Sequence, residues 1–188
     1  MHHIISASSA LFVLGFVCFA AFSWGVKGHF RHTGKIPAGT ILISLLTVGG
    51  FGWFALRLAI VPVGAGWVVA GLLFVAGLVL FAWTIRATRQ TPPTLAFDTD
   101  KPSFLLRHGP YRFVRHPFYL SYLLFWTGTA VAFSGILPWV APAVMLAVYR
   151  IAAGREEQKF AGSDLRAAYE AYRRQAGMFF PRARLKLA

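Results

Sequence analysis

The chain has 188 residues, of which 57% are apolar, 16% aromatic and only 13% charged, with a formal net charge of +13. A soluble globular domain carries roughly 25% charged residues, and the apolar residues here run in long blocks with no charged stripe to face water, so an ordinary soluble fold is excluded. The basic charge does not mark a nucleic-acid-binding module either, because that reading needs an exposed basic surface on a soluble domain.

A helix needs about 20 consecutive apolar residues to cross the hydrocarbon layer. Residues 4–26, 38–61 and 65–85 meet this requirement. Residues 118–134 and 136–153 are shorter and meet at Ser134-Gly135-Ile136, and they read as a helical hairpin that crosses and returns. Only helices and closed barrels satisfy every backbone group in lipid. The expected fold is therefore an all-α integral membrane protein of about five transmembrane helices. The first block lacks a basic leading region and is too long for a signal peptide, so it is expected to stay as the first helix. No internal repeat or low-complexity tract marks a second domain. Residues 1–188 are expected to form a single domain, with three transmembrane helices in 4–85 and a catalytic half in 86–181.

Charge placement predicts orientation. Lys27, Arg31 and Lys35 fall between the first two helices, six basic residues from Arg86 to Arg115 fall between the third and fourth, and nine more run from Arg150 to Lys186. Every lysine and arginine except Arg57 thus lies on one side of the five-helix arrangement. The positive-inside rule makes that side cytoplasmic, in the inner membrane if the source is bacterial. The same charge would attract anionic membrane lipids. Arg57, about one turn from the outer end of the second helix, is expected to snorkel to the interface. Cys18 is the single cysteine, so no intrachain disulfide or thiolate metal cluster can form, and a packing role is expected.

Two polar segments on the basic side carry the candidate chemistry. The first, residues 86–116, contains Pro92-Pro93, Asp98-Thr99-Asp100 and Lys101-Pro102 and cannot be one helix. It ends in a Gly109-Pro110 turn signal. Pro117 suits the first turn of the fourth helix, where a missing N–H costs nothing. His116 then falls at the N-cap, beside free amides and the positive end of the helix dipole. Arg115, His116 and Tyr119 are expected to converge there, and Tyr122 shares a helix face with Tyr119. The second segment, 155–160, places Glu156 and Glu157 side by side in a chain with six acidic residues. On a helix they point about 100° apart, so at most one need face a pocket; the alternative is a solvated exit turn in which one of them pairs with a nearby arginine. A last amphipathic helix is expected over 164–175, with Ser163 as N-cap and Gly177 as terminator. Leu165, Ala168, Tyr169, Tyr172 and Ala176 would form its packing face, opposite Arg166, Glu170 and Arg174.

Other motifs carry no chemistry. Gly49-Gly50-Phe51-Gly52 lies inside a helix with no preceding strand and cannot be a nucleotide loop. His2 with His3, and His29 with His32, lack the further ligands a metal site needs, so no metal is expected.

Gly109-x-Tyr111, Arg115-His116-Pro117-x-Tyr119, Glu156-Glu157, then Tyr169, Tyr172 and Pro181 together resemble the isoprenylcysteine carboxyl methyltransferases and their relatives, including phospholipid and thiol methyltransferases. The resemblance covers about residues 105–181. It implies an enzyme that binds S-adenosylmethionine without a Rossmann fold and methylates a lipidic or small hydrophobic acceptor. By position it implies that Leu105, Leu106, Tyr111, His116, Pro117, Phe118 and Tyr119 line the cofactor pocket and that Glu156 holds the cofactor's ammonium. Arg155 or Arg150 would meet an anionic group of the substrate, and His116 or Glu157 would be the base if the acceptor is an amine. Gly177-Met178-Phe179-Phe180 lacks the basic residue expected of the prenylcysteine enzymes, which leaves carboxylate, amine and thiol acceptors open. The alternatives are an NADPH-dependent membrane reductase of similar helical layout and a non-catalytic membrane subunit or transporter.

Overall fold

The computed structural model describes residues 2–31, 34–98 and 102–182, the first five by backbone alone. His32, Thr99, Asp100, Lys101 and Lys186, together with the side chains of His2 and His3, lie outside the described residues. Six α-helices follow in order: α1 (His2–Gly28), α2 (Ala38–Ile60), α3 (Trp67–Ala87), α4 (Pro117–Val131), α5 (Val140–Ala161) and α6 (Arg166–Gln175). Among the described residues no strand forms, and the fold is the expected all-α membrane type.

Among the described residues four segments are long and apolar enough to cross a bilayer: Ala7–Gly28, Ala38–Ile60, Trp67–Ala87 and Leu137–Ala161. Their outward faces are apolar, as at Leu45, Leu72 and Val79, which are more than half exposed; such surface is stable against lipid and not against water. The fifth expected span is shorter. α4 has 15 residues, about 22 Å at 1.5 Å per residue, against a hydrocarbon layer of about 30 Å. It need not match the bilayer because it is enclosed by protein, with Ser121, Phe125, Trp126 and Ala130 almost wholly buried. Its far end still reaches the α2–α3 turn, where the Gly64 amide donates to the Ala132 carbonyl at 2.8 Å. The count of five is therefore approximate.

The core is an aromatic stack between α2, α3 and α4. Phe54 meets Phe74 edge-on at 5.8 Å, and Phe74 lies 5.2 Å from Phe125. Cys18 is fully buried and its thiol donates to the Phe74 carbonyl at 3.6 Å, in keeping with a packing role. Arg57 does not simply reach for the interface: its guanidinium lies 4.7 Å from the Phe133 ring centre and 5.9 Å from that of Trp53. Both rings offer a cation–π face in place of water.

The polar connections are pinned rather than loose. Arg31 exchanges backbone hydrogen bonds with Pro93 and Leu95 (2.9 and 2.8 Å), and the Thr40 hydroxyl donates to the Ala96 carbonyl. The α3–α4 connection is thereby fastened to the start of α2. Gly109, at φ 57, makes the turn into a short 3-10 helix, Gly109–Arg112, that delivers the chain to α4.

α5 runs on to Ala161, eight residues beyond the expected end at 153, so the glutamate pair sits on a continuous helix and not on an exit turn. α6 begins at Arg166 with Leu165 at the N-cap. Ser163, the expected cap, instead accepts the Leu165 amide (3.3 Å) in the preceding turn. Tyr169, Tyr172 and Ala176 are buried, and Arg166 pairs with Glu170 at 3.1 Å on the exposed side. Gly177 does not stop α6 in a left-handed cap. Ala176 leaves the helix extended, and Gly177 forms a bridge with Val114. A Cβ at position 177 would overlap the Phe180 carbonyl oxygen, so only glycine permits this strap.

Candidate active site

A cavity of about 500 Å³ opens at the basic end of the bundle, within the range of about 300–1,000 Å³ in which small molecules and cofactors bind. Its walls come from α1, α2, α4, α5, α6 and the α1–α2 and α3–α4 connections.

The polar wall is built where the first turn of α4 meets the last turns of α5. Pro117 opens α4, leaving His116 at the N-cap with its ring directed between the two glutamates. Nε2 lies 3.1 Å from Glu157 Oε1, and Nδ1 lies 3.4 Å from Glu156 Oε2. Each ring nitrogen thus faces a carboxylate, an arrangement that favours the imidazolium form, in which both nitrogens donate. Burial alone would lower the pKa of His116, but its hydrogen bonds to Glu156 and Glu157 and their charges outweigh it and raise the pKa above the ordinary value. His116 also explains why both glutamates face the cavity, contrary to the expectation that at most one need do so. Its ring spans the angle between their positions on α5.

The two carboxylates have different surroundings. Glu157 Oε1 accepts from Arg115 Nε and Nη2, both at 2.9 Å, and from His116, and Arg173 Nε stands 3.8 Å from its Oε2. Glu156 accepts a short hydrogen bond of 2.5 Å from the Tyr119 hydroxyl. It is 29% exposed against 10% for Glu157, so Glu156 has oxygen lone pairs left to offer a ligand and Glu157 has few. Arg115 Nη1 also donates to the Ala176 carbonyl at 2.6 Å, and the backbone amides of Arg115 and His116 donate to Gly177 and Met178 (2.7 and 3.1 Å). The Tyr172 hydroxyl donates to the Tyr111 carbonyl at 2.7 Å. These bonds hold α6 and its strap against the base of α4. The face of α6 expected mostly to pack also supplies Tyr169 and Tyr172 to the cavity wall. Burial, chiefly, raises the phenol pKa values of Tyr111, Tyr169 and Tyr172, so these groups stay neutral donors.

The residues singled out in the sequence fall into two groups. Leu105, Leu106, Tyr111 and the run His116, Pro117, Phe118 and Tyr119 all line the cavity, as do Glu156 and Glu157. Arg150 and Arg155 do not. Both are exposed, and the Arg155 guanidinium lies 5.0 Å from the Phe97 ring centre. The arginine inside the polar cluster is Arg115, 5% exposed, whose position beside His116 in the motif was its signal. Reasoning from the two polar segments missed the opposite wall: Val26 of α1, Phe30 just after it, Thr40, Ile43 and Ser44 of α2, and Tyr149 of α5. In an apolar helix nothing local marks which residues face a cavity and which face lipid. No group of three or more potential metal ligands occurs among the described residues.

Fold and site together define an integral membrane protein with an acidic, tyrosine-rich cavity at the basic end of its bundle. The phospholipid methyltransferase family model matches residues 66–164, from the start of α3 past the glutamate pair, which is just over half of the chain. The protein belongs to the phospholipid methyltransferase family, and membership implies methyltransferase activity in general. No curated protein and no solved structure gives a match to the chain.

Proposed function

We propose that the protein is an S-adenosylmethionine-dependent methyltransferase that acts, on the cytoplasmic side of the membrane, on a lipidic or small hydrophobic acceptor. The observation that carries this reading is Glu156, a carboxylate on the cavity wall that keeps bonding capacity beside His116 and a buried tyrosine. The cofactor has an ammonium, a carboxylate, an adenine and a sulfonium, and the wall offers chemistry for them. Glu156 suits the ammonium. Tyr111 and Phe118 offer aromatic faces to the ring or the sulfonium, and Leu105 and Leu106 offer apolar surface to the adenine. When bound, the cofactor supplies a methyl group on a positively charged sulfur, which keeps the C–S electron pair as the acceptor's lone pair bonds to the methyl carbon.

The work left to the protein is to position, orient and exclude water. Arg115 and His116 hold Glu157 in place, and the Glu157–His116 pair in turn fixes Glu156. The two glutamates favour the protonated form of His116, and Glu157 already accepts from Arg115 and His116, so neither is well placed to accept a proton from an amine. This favours an acceptor that reaches the cavity already neutral or anionic. Val26, Phe30 and Ile43 give such an acceptor an apolar wall continuous with α1 and α2. The segregation of basic residues to this end of the bundle supports its cytoplasmic orientation.

Titration of purified protein in detergent with S-adenosylmethionine tests the reading. Binding is expected, weakened by about tenfold or more in Glu156→Ala through loss of a charge-assisted hydrogen bond. Absence of binding to folded protein would refute it, and tight binding of NADPH instead would favour a reductase.

A further inference from the structure

Tyr122 follows Tyr119 by three residues on α4, about 4.5 Å further along the helix axis from the basic end. The polar groups around it are committed. The Tyr119 hydroxyl donates to Glu156, the Tyr149 hydroxyl accepts from Trp126 Nε1 at 3.4 Å, and the Ser44 hydroxyl donates to the Thr40 carbonyl at 2.9 Å. The Tyr122 hydroxyl is buried, stands on the cavity wall and has no hydrogen-bond partner among the described residues. Its ring is fixed between Phe22 at 4.8 Å and Tyr149 at 5.8 Å, so the hydroxyl cannot swing away to find one. A buried hydroxyl without a partner is costly and rare in folded proteins unless a ligand or water satisfies it.

We infer that Tyr122 binds the methyl acceptor, its hydroxyl hydrogen-bonding to the polar head that carries the reacting atom of an amphiphile whose tail lies along Val26, Phe30 and Ile43. The inference rests on the methyltransferase reading above. If Glu156 holds the cofactor at the basic end, the acceptor must stand across the methyl group from it, on the deeper side, and Tyr122 is the polar group there with bonding capacity to spare. A phenol both donates and accepts. It can accept from the N–H of a neutral amine, or donate to the second oxygen of a carboxylate or to a second lone pair of a thiolate. In each case the attacking pair stays free to form the bond to the methyl carbon while the C–S pair remains on sulfur. A methylated amine then releases its surplus proton to water at the open end of the cavity.

The test compares wild-type full-length protein with Tyr122→Phe in detergent. Ligand-free thermal stability and S-adenosylmethionine affinity are measured, followed by binding and methylation of dodecylamine, dodecanethiol and dodecanoate with methyl-labelled cofactor. The three probes share one tail, so the head that takes up label names the acceptor chemistry. Tyr122→Phe is expected to leave the ligand-free melting temperature unchanged or slightly higher, because the lost hydroxyl had no partner. Cofactor affinity should stay within about twofold, while the Kd and KM for the methylated probe rise about fivefold, the worth of one hydrogen bond. Unchanged probe binding, a lower ligand-free melting temperature, or a wild type that binds the cofactor but methylates none of the probes would overturn the assignment. A wild type that does not bind the cofactor would remove the methyltransferase reading and this assignment with it.

Discussion

Arg115 and Arg173 both approach Glu157, and truncating each should separate a buried ion pair from a surface one. Arg115 is 5% exposed, places two nitrogens 2.9 Å from Glu157 Oε1 and donates a third hydrogen bond to Ala176. Arg115→Ala would leave a largely buried carboxylate with His116 as its main partner and unpin the strap. Breaking a buried pair from one side costs about 3–5 kcal/mol. In a chain of this size that is a fall in melting temperature on the order of 10 °C. Arg173 is 61% exposed and 3.8 Å away, so solvent screens it and Arg173→Ala should cost roughly 0–1 kcal/mol. The double variant Arg115→Met/Glu157→Leu removes both charges and fills the space with apolar atoms, and it should recover much of the stability lost in Arg115→Ala. Thermal unfolding in one detergent, followed by tryptophan fluorescence and by aggregation, measures all three. Equal small losses from the two arginines, or a double variant less stable than Arg115→Ala, would refute the view that Glu157 is a desolvated charge held by Arg115.

The raised pKa of His116 makes stability depend on pH with a definite sign. Its stabilising contribution is full below the unfolded value near 6.5 and is lost as pH rises through the higher folded value; the melting temperature of the wild type should fall across that window, and His116→Gln should flatten the fall. Gly177→Ala forces the strap away from Phe180, so limited proteolysis should cut within residues 165–182 faster than in the wild type, and cofactor affinity should drop. Arg150→Ala and Arg155→Ala remove exposed side chains that do not line the cavity. Both variants should keep cofactor and acceptor affinities within about twofold, as surface changes usually do; a large loss in either would restore it to the substrate site.

The sequence by itself determined the all-α membrane fold, because a bilayer admits few ways to satisfy a backbone and blocks of about 20 apolar residues announce the simplest of them. It also marked the base of α4, where Gly109-Pro110 and His116-Pro117 signal a turn and a helix start by local chemistry. It left the reach of α5 and the partners of Glu156 and Glu157 undecided, since a helix extends past the membrane edge only if something there holds it. Only the tertiary structure decided that Arg115 and His116 neutralise Glu157 while Glu156 keeps free capacity, that Arg155 turns to Phe97 instead, and that α1 and α2 complete the cavity. Charge pairing and cavity lining depend on distances between segments up to about 150 residues apart, and hydropathy along an apolar helix is the same whether a side chain meets lipid, protein or ligand.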